Sequence, residues 1–313
     1  MTRREFASVA AGAAAVDGAT GRYPVLAGAA AVQGAGGRFR KGVCQTVFPR
    51  DMPLAKCFQE AKKAGFEGLE FAIGGELKLG STPGDQKRVQ GAAREAGVEI
   101  LCLWASEALS ENWLNHPEAA ARARGLEGLK RSIEIAQAMG VGALLTIPGR
   151  VGSGARLVVG YEDTWKRCTE EMQKVAPVAA QAKVALCIEN VWNKFLVSPL
   201  EMRAFVDQFK SPWVQAFFDI GNVMQFGYPE DWILTLAGRV KRVHLKDYKL
   251  SARAEQGRFV GLMEGDVNWK AVMAALVKVG YRGWLSPEIG HDPSEPEQLK
   301  KLSETVDRIL ALA

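Results

Sequence analysis

Apolar residues come in short unbroken runs, separated by longer stretches in which they recur every three or four positions. The short runs read as strands buried on both faces, and the longer stretches as helices laying one face on them. From residue 43 onward the two kinds alternate. Strands are expected over 43–48, 68–72, 98–103, 143–147, 184–188, 214–218, 240–245 and 284–289. Helices are expected over 53–64, 83–96, 117–139, 162–182, 199–209, 232–237, 269–279 and 297–312, with a glycine-rich loop over 149–160. Pro53, Pro83 and Pro199 open helices and Gly65, Gly97 and Gly140 follow them, as helix ends prefer. Eight strand–helix pairs in strict order predict an α/β fold, a single (β/α)8 barrel over 43–313. A doubly wound open sheet would show a glycine fingerprint after its first strand, and Val43 to Arg50 has none.

The runs end on a particular kind of residue. Val184 to Ile188 stops at Glu189, Ala216 to Phe218 at Asp219, Val240 to Val243 leads to His244, and Trp284 to Pro287 to Glu288. In a parallel barrel these positions share the face where chemistry is done. Each residue alone reads blandly: a lone glutamate belongs to a surface loop, and Asp219 before Ile220-Gly221-Asn222 caps a turn. Four ligand-type residues on four successive strands outweigh that reading. Three carboxylates and an imidazole make a hard, oxygen-rich set suited to Mn²⁺, and also to Mg²⁺, Co²⁺ or Zn²⁺, with positions left open. A ketose chelates such an ion through its carbonyl and an adjacent hydroxyl, and the ion acts as a Lewis acid on the enediolate. Moving a proton at the neighbouring carbon needs an acid and a base. Glu189 and Glu288 are the residues available. Glu70 at the end of the second strand, Trp104 at the end of the third and Trp192 after the fifth are further substrate candidates, the tryptophans because sugars stack on aromatic rings.

Composition narrows the picture. The 313 residues are 48% hydrophobic and 24% charged, ordinary for a globular chain. A net charge of +5, not gathered in runs, supports neither nucleic-acid nor membrane binding. Cys44, Cys57, Cys102, Cys168 and Cys187 are scattered and show no disulfide framework; three of them fall in strands as small buried hydrophobes. Residues 1–42 read as a leader outside the fold. Arg3-Arg4 before the alanine-rich Ala7 to Val16 resembles a twin-arginine export signal, with Ala29-Ala30-Ala31 as a cleavage site, which would place the protein in the periplasm; without export it is cytoplasmic. Nothing approaches the ~18 uninterrupted apolar residues of a membrane span.

Ile188-Glu189-Asn190-Val191-Trp192-Asn193, Phe218-Asp219-Ile220-Gly221-Asn222, Val243-His244-Leu245-Lys246-Asp247-Tyr248, Pro287-Glu288 and Gly265-Asp266-Val267-Asn268-Trp269 carry a resemblance. Together they are similar to the sugar phosphate isomerase/epimerase family, the xylose isomerase-like TIM barrel, over residues 43 to 313. The resemblance implies Glu189, Asp219, His244 and Glu288 as metal ligands. It also implies that the two glutamates exchange the C3 proton of a ketose, and that the chain pairs with copies of itself. Free-ketose 3-epimerases of the family carry a histidine where this chain has Asn222. Lys246-Asp247 and Gln256 to Phe259 look closer to the sugar-phosphate branch, with Arg258 available to a phosphate. Export would instead favour a free sugar or a glycoside.

Three alternatives remain at this level. The fold is shared with endonucleases acting on abasic DNA, but those gather several histidines, and this chain has three, with one at a strand end. A lyase or dehydratase on a keto-sugar or 3-keto-glycoside would use the same base and metal and expel a substituent. A non-catalytic sugar-binding barrel would have no need of two glutamates on one metal.

Overall fold

The structure, a computed structural model, describes residues 39–251, 257–295 and 297–313. Residues 1–38, and with them the expected export signal and cleavage site, lie outside the described residues, as does Gln256. Eight parallel strands close into a barrel: β1 (Phe39–Cys44), β2 (Gly68–Ala72), β3 (Glu99–Trp104), β4 (Ala143–Thr146), β5 (Ala185–Glu189), β6 (Val214–Asp219), β7 (Val240–Leu245) and β8 (Gly283–Pro287). Each pairs with its neighbours in sequence, and β8 returns to β1 with Phe39 opposite Gly283. The alternation read from the sequence is the observed one.

The outer ring is α1 (Leu54–Lys63), α2 (Pro83–Ala96), α3 (Ala119–Ala138), α4 (Tyr161–Ala182), α5 (Pro199–Asp207), α6 (Pro229–Leu236), α7 (Trp269–Lys278) and α8 (Gln298–Leu310). Local chemistry explains several of the ends. Thr82 and Asp85 form a capping box at α2, as do Ser198 and Glu201 at α5, each with proline in the first turn. Gly97 closes α2 at φ 67°, a left-handed conformation that costs glycine little.

Most of the core lies between strands and helices; a second cluster fills the barrel itself. There, small residues (Cys102, Ala143, Ala185, Cys187) make room for Phe217 and Trp284. All five cysteines are buried and free, the expected burial of Cys44, Cys102 and Cys187 extending to Cys57 and Cys168, and burial pushes the Cys102 and Cys187 thiols up. Among the described residues no helix is long and apolar enough to cross a membrane.

Two expectations need correction. The first strand runs over 39–44 rather than 43–48, and Gln45–Val47 is a turn of 3-10 helix capped by the Cys44 thiol. The early half is hidden in the sequence because it carries a long cation on each face, Arg40 toward the barrel and Lys41 toward the helices. Arg40 lays its guanidinium on the Trp284 ring at 3.7 Å, and Lys41 pairs with Asp307 at 2.6 Å, so apolar stems cover the surface while the charges reach out. The glycine-rich stretch 149–160 holds a short hairpin, Gly152–Ser153 against Arg156–Leu157.

Candidate metal centre

Glu189 and Asp219 are the last residues of β5 and β6, His244 lies one residue from the end of β7, and Glu288 follows β8. Their ligand atoms all fall within 4.8 Å of one another. His244 is fully buried, and its Nδ1 lies 2.9 Å from Glu189 Oε1, 3.3 Å from Glu288 Oε2 and 3.8 Å from Asp219 Oδ2. All four expected ligands therefore meet at one point.

The ends of β5 and β6 are locked together by amides. Asn190 donates from Nδ2 to the Asp219 carbonyl at 2.8 Å and accepts the Asp219 N–H at 2.9 Å. Asn222 donates to the Asn190 carbonyl at 2.9 Å, and its own N–H is capped by Asp219 Oδ1 at 2.8 Å. Asp219 thus spends one oxygen on the short helix Ile220–Val223 and keeps Oδ2 for the cluster. That oxygen is buried and makes no hydrogen bond, although the Lys246 ammonium stands 2.9 Å away. Lys246 also reaches Glu288 Oε2 at 2.6 Å, bridging two of the four candidate ligands.

Behind the histidine stands a fifth residue. Glu70, wholly buried in β2, receives His244 Nε2 at 3.0 Å on Oε1, and its Oε2 has no partner. The electrostatics follow from this crowding. Burial pushes the Glu189 carboxyl up to about 7, against the hydrogen bond from His244. Burial likewise raises Asp219. Burial alone would lower His244, but the Glu70 and Glu288 charges carry it well above its usual 6.5. Burial would raise Glu288 too, yet the His244 and Lys246 cations bring it below its usual value. Lys246 rises because Asp219 and Glu288 outweigh its own desolvation. Four carboxyl groups face one imidazole and one ammonium, an excess of acid suited to a further cation. A buried Asp219 oxygen without a hydrogen bond and a hard donor set fit a divalent cation at Glu189, Asp219, His244 and Glu288.

The remaining sequence candidates divide. Trp104 meets the His244 ring edge-on at 6.1 Å and lines the open mouth. Trp192 donates its indole N–H to the Asn222 carbonyl at 2.9 Å and packs among Phe226, Tyr248 and Phe259, forming one rim. Glu70 faces His244 from behind rather than the mouth, and the Asn222 amide is committed to Asn190. Arg258 is exposed on a hairpin strand, Arg258–Val260 paired to Asp247–Lys249, and is not part of the cavity wall beside Lys246. Asp247 is buried and structural. Its carboxylate accepts the N–H groups of Tyr248, Met263, Gly265 and Val267 and the Trp269 indole N–H. It therefore ties β7 to the Gly265–Trp269 element, where a side chain on Gly265 would strike Asp247 Oδ1. Sequence reasoning assigned no role to Asn190, whose only signal was its place directly after Glu189, or to Phe217, whose ring lies 4.2 Å from that of His244.

Residues 58–309 match the xylose isomerase-like TIM barrel family, and the chain belongs to it. An L-ribulose-5-phosphate 3-epimerase of Salmonella paratyphi C is 25% identical over 249 residues, 76% of this chain and 84% of that protein. Among solved structures, a D-tagatose 3-epimerase-like protein superposes with a TM-score of 0.73 at 18% identity, covering 87% of this chain and 97% of its own. A 3-keto-D-glucoside 4-epimerase from E. coli gives 0.68 at 15% identity, covering 87% and 99%. These structures share the fold.

Proposed function

We propose that the chain is a divalent-metal-dependent sugar epimerase that moves a proton at the carbon beside a ketose carbonyl, with 3-epimerisation as the reaction. The observation that carries this reading is the approach of Glu189 and Glu288, from two different strands, to one imidazole nitrogen at 2.9 and 3.3 Å. Two carboxyl groups brought to one point from different strands can serve as the base and the acid that removal and return of a proton on opposite faces of a planar intermediate require. The epimerase names of the relative and of the structural neighbours support it.

A divalent ion, Mn²⁺ foremost, held by Glu189, Asp219, His244 and Glu288, supplies Lewis acidity to the carbonyl oxygen. The chain does the rest. One glutamate takes the C–H proton and the other returns one to the opposite face, their roles reversing with direction. Asn190 and Asn222 fix the β5 and β6 ends, Glu70 orients His244, and Trp104 and Trp192 offer apolar faces to the sugar.

The test is solvent exchange. Protein with Mn²⁺ in D₂O and a panel of ketoses, ketose phosphates and 3-keto-glucosides should lose one C–H signal by NMR as a new epimer appears. Glu189→Gln should lower that rate by about 10²–10⁴-fold. Exchange at C1 would make it an aldose–ketose isomerase, and an enone product a lyase. Absence of exchange across the panel, with Mn²⁺ shown bound, would overturn the reading.

A further inference from the structure

The catalytic cluster opens into a trough larger than one sugar. On the β7–β8 side a cavity of about 720 Å³ includes Lys246 and Glu288 in its wall. Over β1–β3 lies another of about 960 Å³, walled by Phe48, Arg50, Gly75, Trp104, Glu107 and His291 among others. The two share Thr46 and Gly290. Each alone reaches the upper part of the range, about 300–1,000 Å³, that takes a drug-sized ligand. A single ketose over the four ligands leaves the β1–β3 cavity empty.

Trp104 joins the two regions. Its ring meets His244 and forms part of the larger cavity's wall, and its Nε1 is buried without a hydrogen-bond partner. A buried donor left unpaired wants an acceptor. Trp113 repeats the pattern in an adjoining cavity of about 230 Å³ that shares Ser106 and Ser110 with the larger one. The Trp113 face is covered by the Arg150 guanidinium at 3.8 Å, so the open indole is that of Trp104, which beside the hydroxyls of Ser106 and Ser110 suits a polyhydroxylated ring.

Charge argues against a phosphate. Glu264, Glu288, Asp292 and Glu295 line the smaller of the two main cavities, and both its lysines are engaged, Lys246 by Asp219 and Glu288, Lys301 by Glu295. In the larger cavity Arg50 shares the wall with Glu107, and among the described residues no set of cations converges as phosphate recognition requires.

We propose that the cavity over β1–β3 is a second-ring subsite, and that the substrate is an uncharged keto-glycoside whose glycosidic partner lies along Trp104. This rests on the proton-transfer reading above and changes its position: on a 3-keto ring the carbon that exchanges is C2 or C4, since C3 is the carbonyl. The keto ring loses a proton from the carbon beside its ketone, the electron pair passes to the carbonyl oxygen, and a proton returns to the same carbon. The glycosidic bond stays intact and no redox partner is needed.

Gly75→Trp sets an indole at the cavity wall where a Cβ meets nothing within 4 Å, and melting of the variant checks that the fold is kept. With the Mn²⁺-loaded full chain, kcat/KM for exchange on 3-keto-sucrose or 3-keto-trehalose should exceed that on D-fructose and L-xylulose 5-phosphate at least tenfold. Gly75→Trp should reduce that advantage to twofold or less, through KM. Equal or better exchange on the ketose phosphate, or an equal loss on every sugar in the variant, would overturn the subsite. Calorimetry keeps the two readings apart if no sugar exchanges. A keto-disaccharide binding tenfold tighter than fructose, with the difference lost in Gly75→Trp, supports the subsite without the reaction; equal affinities overturn it.

Discussion

Glu70 is the residue whose role the structure changes most, and it allows the sharpest test of the metal reading. His244 presents Nδ1 to Glu189, Asp219 and Glu288 and turns Nε2 to Glu70 at 3.0 Å in a site where both side chains are fully buried. If Nδ1 is the ligand, Nε2 carries the proton and Glu70 holds that tautomer. A buried hydrogen bond to a charged acceptor contributes about 1.5–3 kcal/mol. At about 1.4 kcal/mol per decade of affinity that predicts roughly 10–100-fold weaker metal binding, the usual loss on removing a partner behind a metal-bound histidine. Glu70→Gln keeps an acceptor and the shape but not the charge, and should fall near the low end. Glu70→Leu removes the acceptor and should approach the high end. Mn²⁺ affinity measured by calorimetry, alongside melting of the metal-free proteins to confirm folding, reads this directly. The ¹⁵N spectrum of His244 in a diamagnetic Zn²⁺ complex should show the Nε2–H tautomer in wild type and its loss in Glu70→Leu. Two folded variants that bind Mn²⁺ within twofold of wild type would refute the reasoning.

Other consequences can be checked together. Lys246→Met removes the cation between Asp219 and Glu288 and should cost the metal-free protein roughly 3 kcal/mol, with Mn²⁺ raising its melting temperature more than it raises that of wild type; an equal rise would argue against competition. Asp247→Asn leaves part of a five-donor set unpaired and should destabilise by roughly 3 kcal/mol; a change under 1 kcal/mol in urea unfolding would contradict that anchoring role. Glu189, raised by burial to about 7, and His244, raised well above 6.5 by Glu70 and Glu288, both bind protons more tightly folded than unfolded. The metal-free protein should therefore lose stability as pH rises from about 5 to 8; Glu288, shifted downward, titrates below that window and does not offset the loss. With saturating Mn²⁺ the slope should reverse, since ligands bind deprotonated; melting curves in EDTA and in Mn²⁺ at both ends of that range decide it.

The strands most legible in the sequence are those buried on both faces. Ala143–Thr146 and Ala185–Glu189 have no exposed residue, so their apolar runs are unbroken and the carboxylate closing β5 stands out. The first half of β1 was not legible, because Arg40 and Lys41 cover apolar surface with charged side chains. Glu70 was visible but misdirected. It lies mid-strand, beside Cys44 and Cys102 in register, and only closure of the barrel brings β2 across to β7. A wholly buried carboxyl needs a cationic partner. The single histidine at a strand end could have been named as that partner from the sequence. Asp247 could not be assigned, since four of its five donors are backbone groups, which leave no trace in side-chain identity.

The same contrast shows why this site holds its shape before any ion arrives. A cluster dominated by acids would spring apart if its strand ends were free to move. Here Asn190 and Asn222 bolt β5 to β6 through neutral hydrogen bonds that no change of charge at the cluster removes. On the other side, Asp247 ties the end of β7 into α7. The charged residues are thus carried on a frame whose rigidity does not depend on their protonation. Lys246, on a flexible stem in the wall of the trough, is the group free to leave when a divalent cation enters.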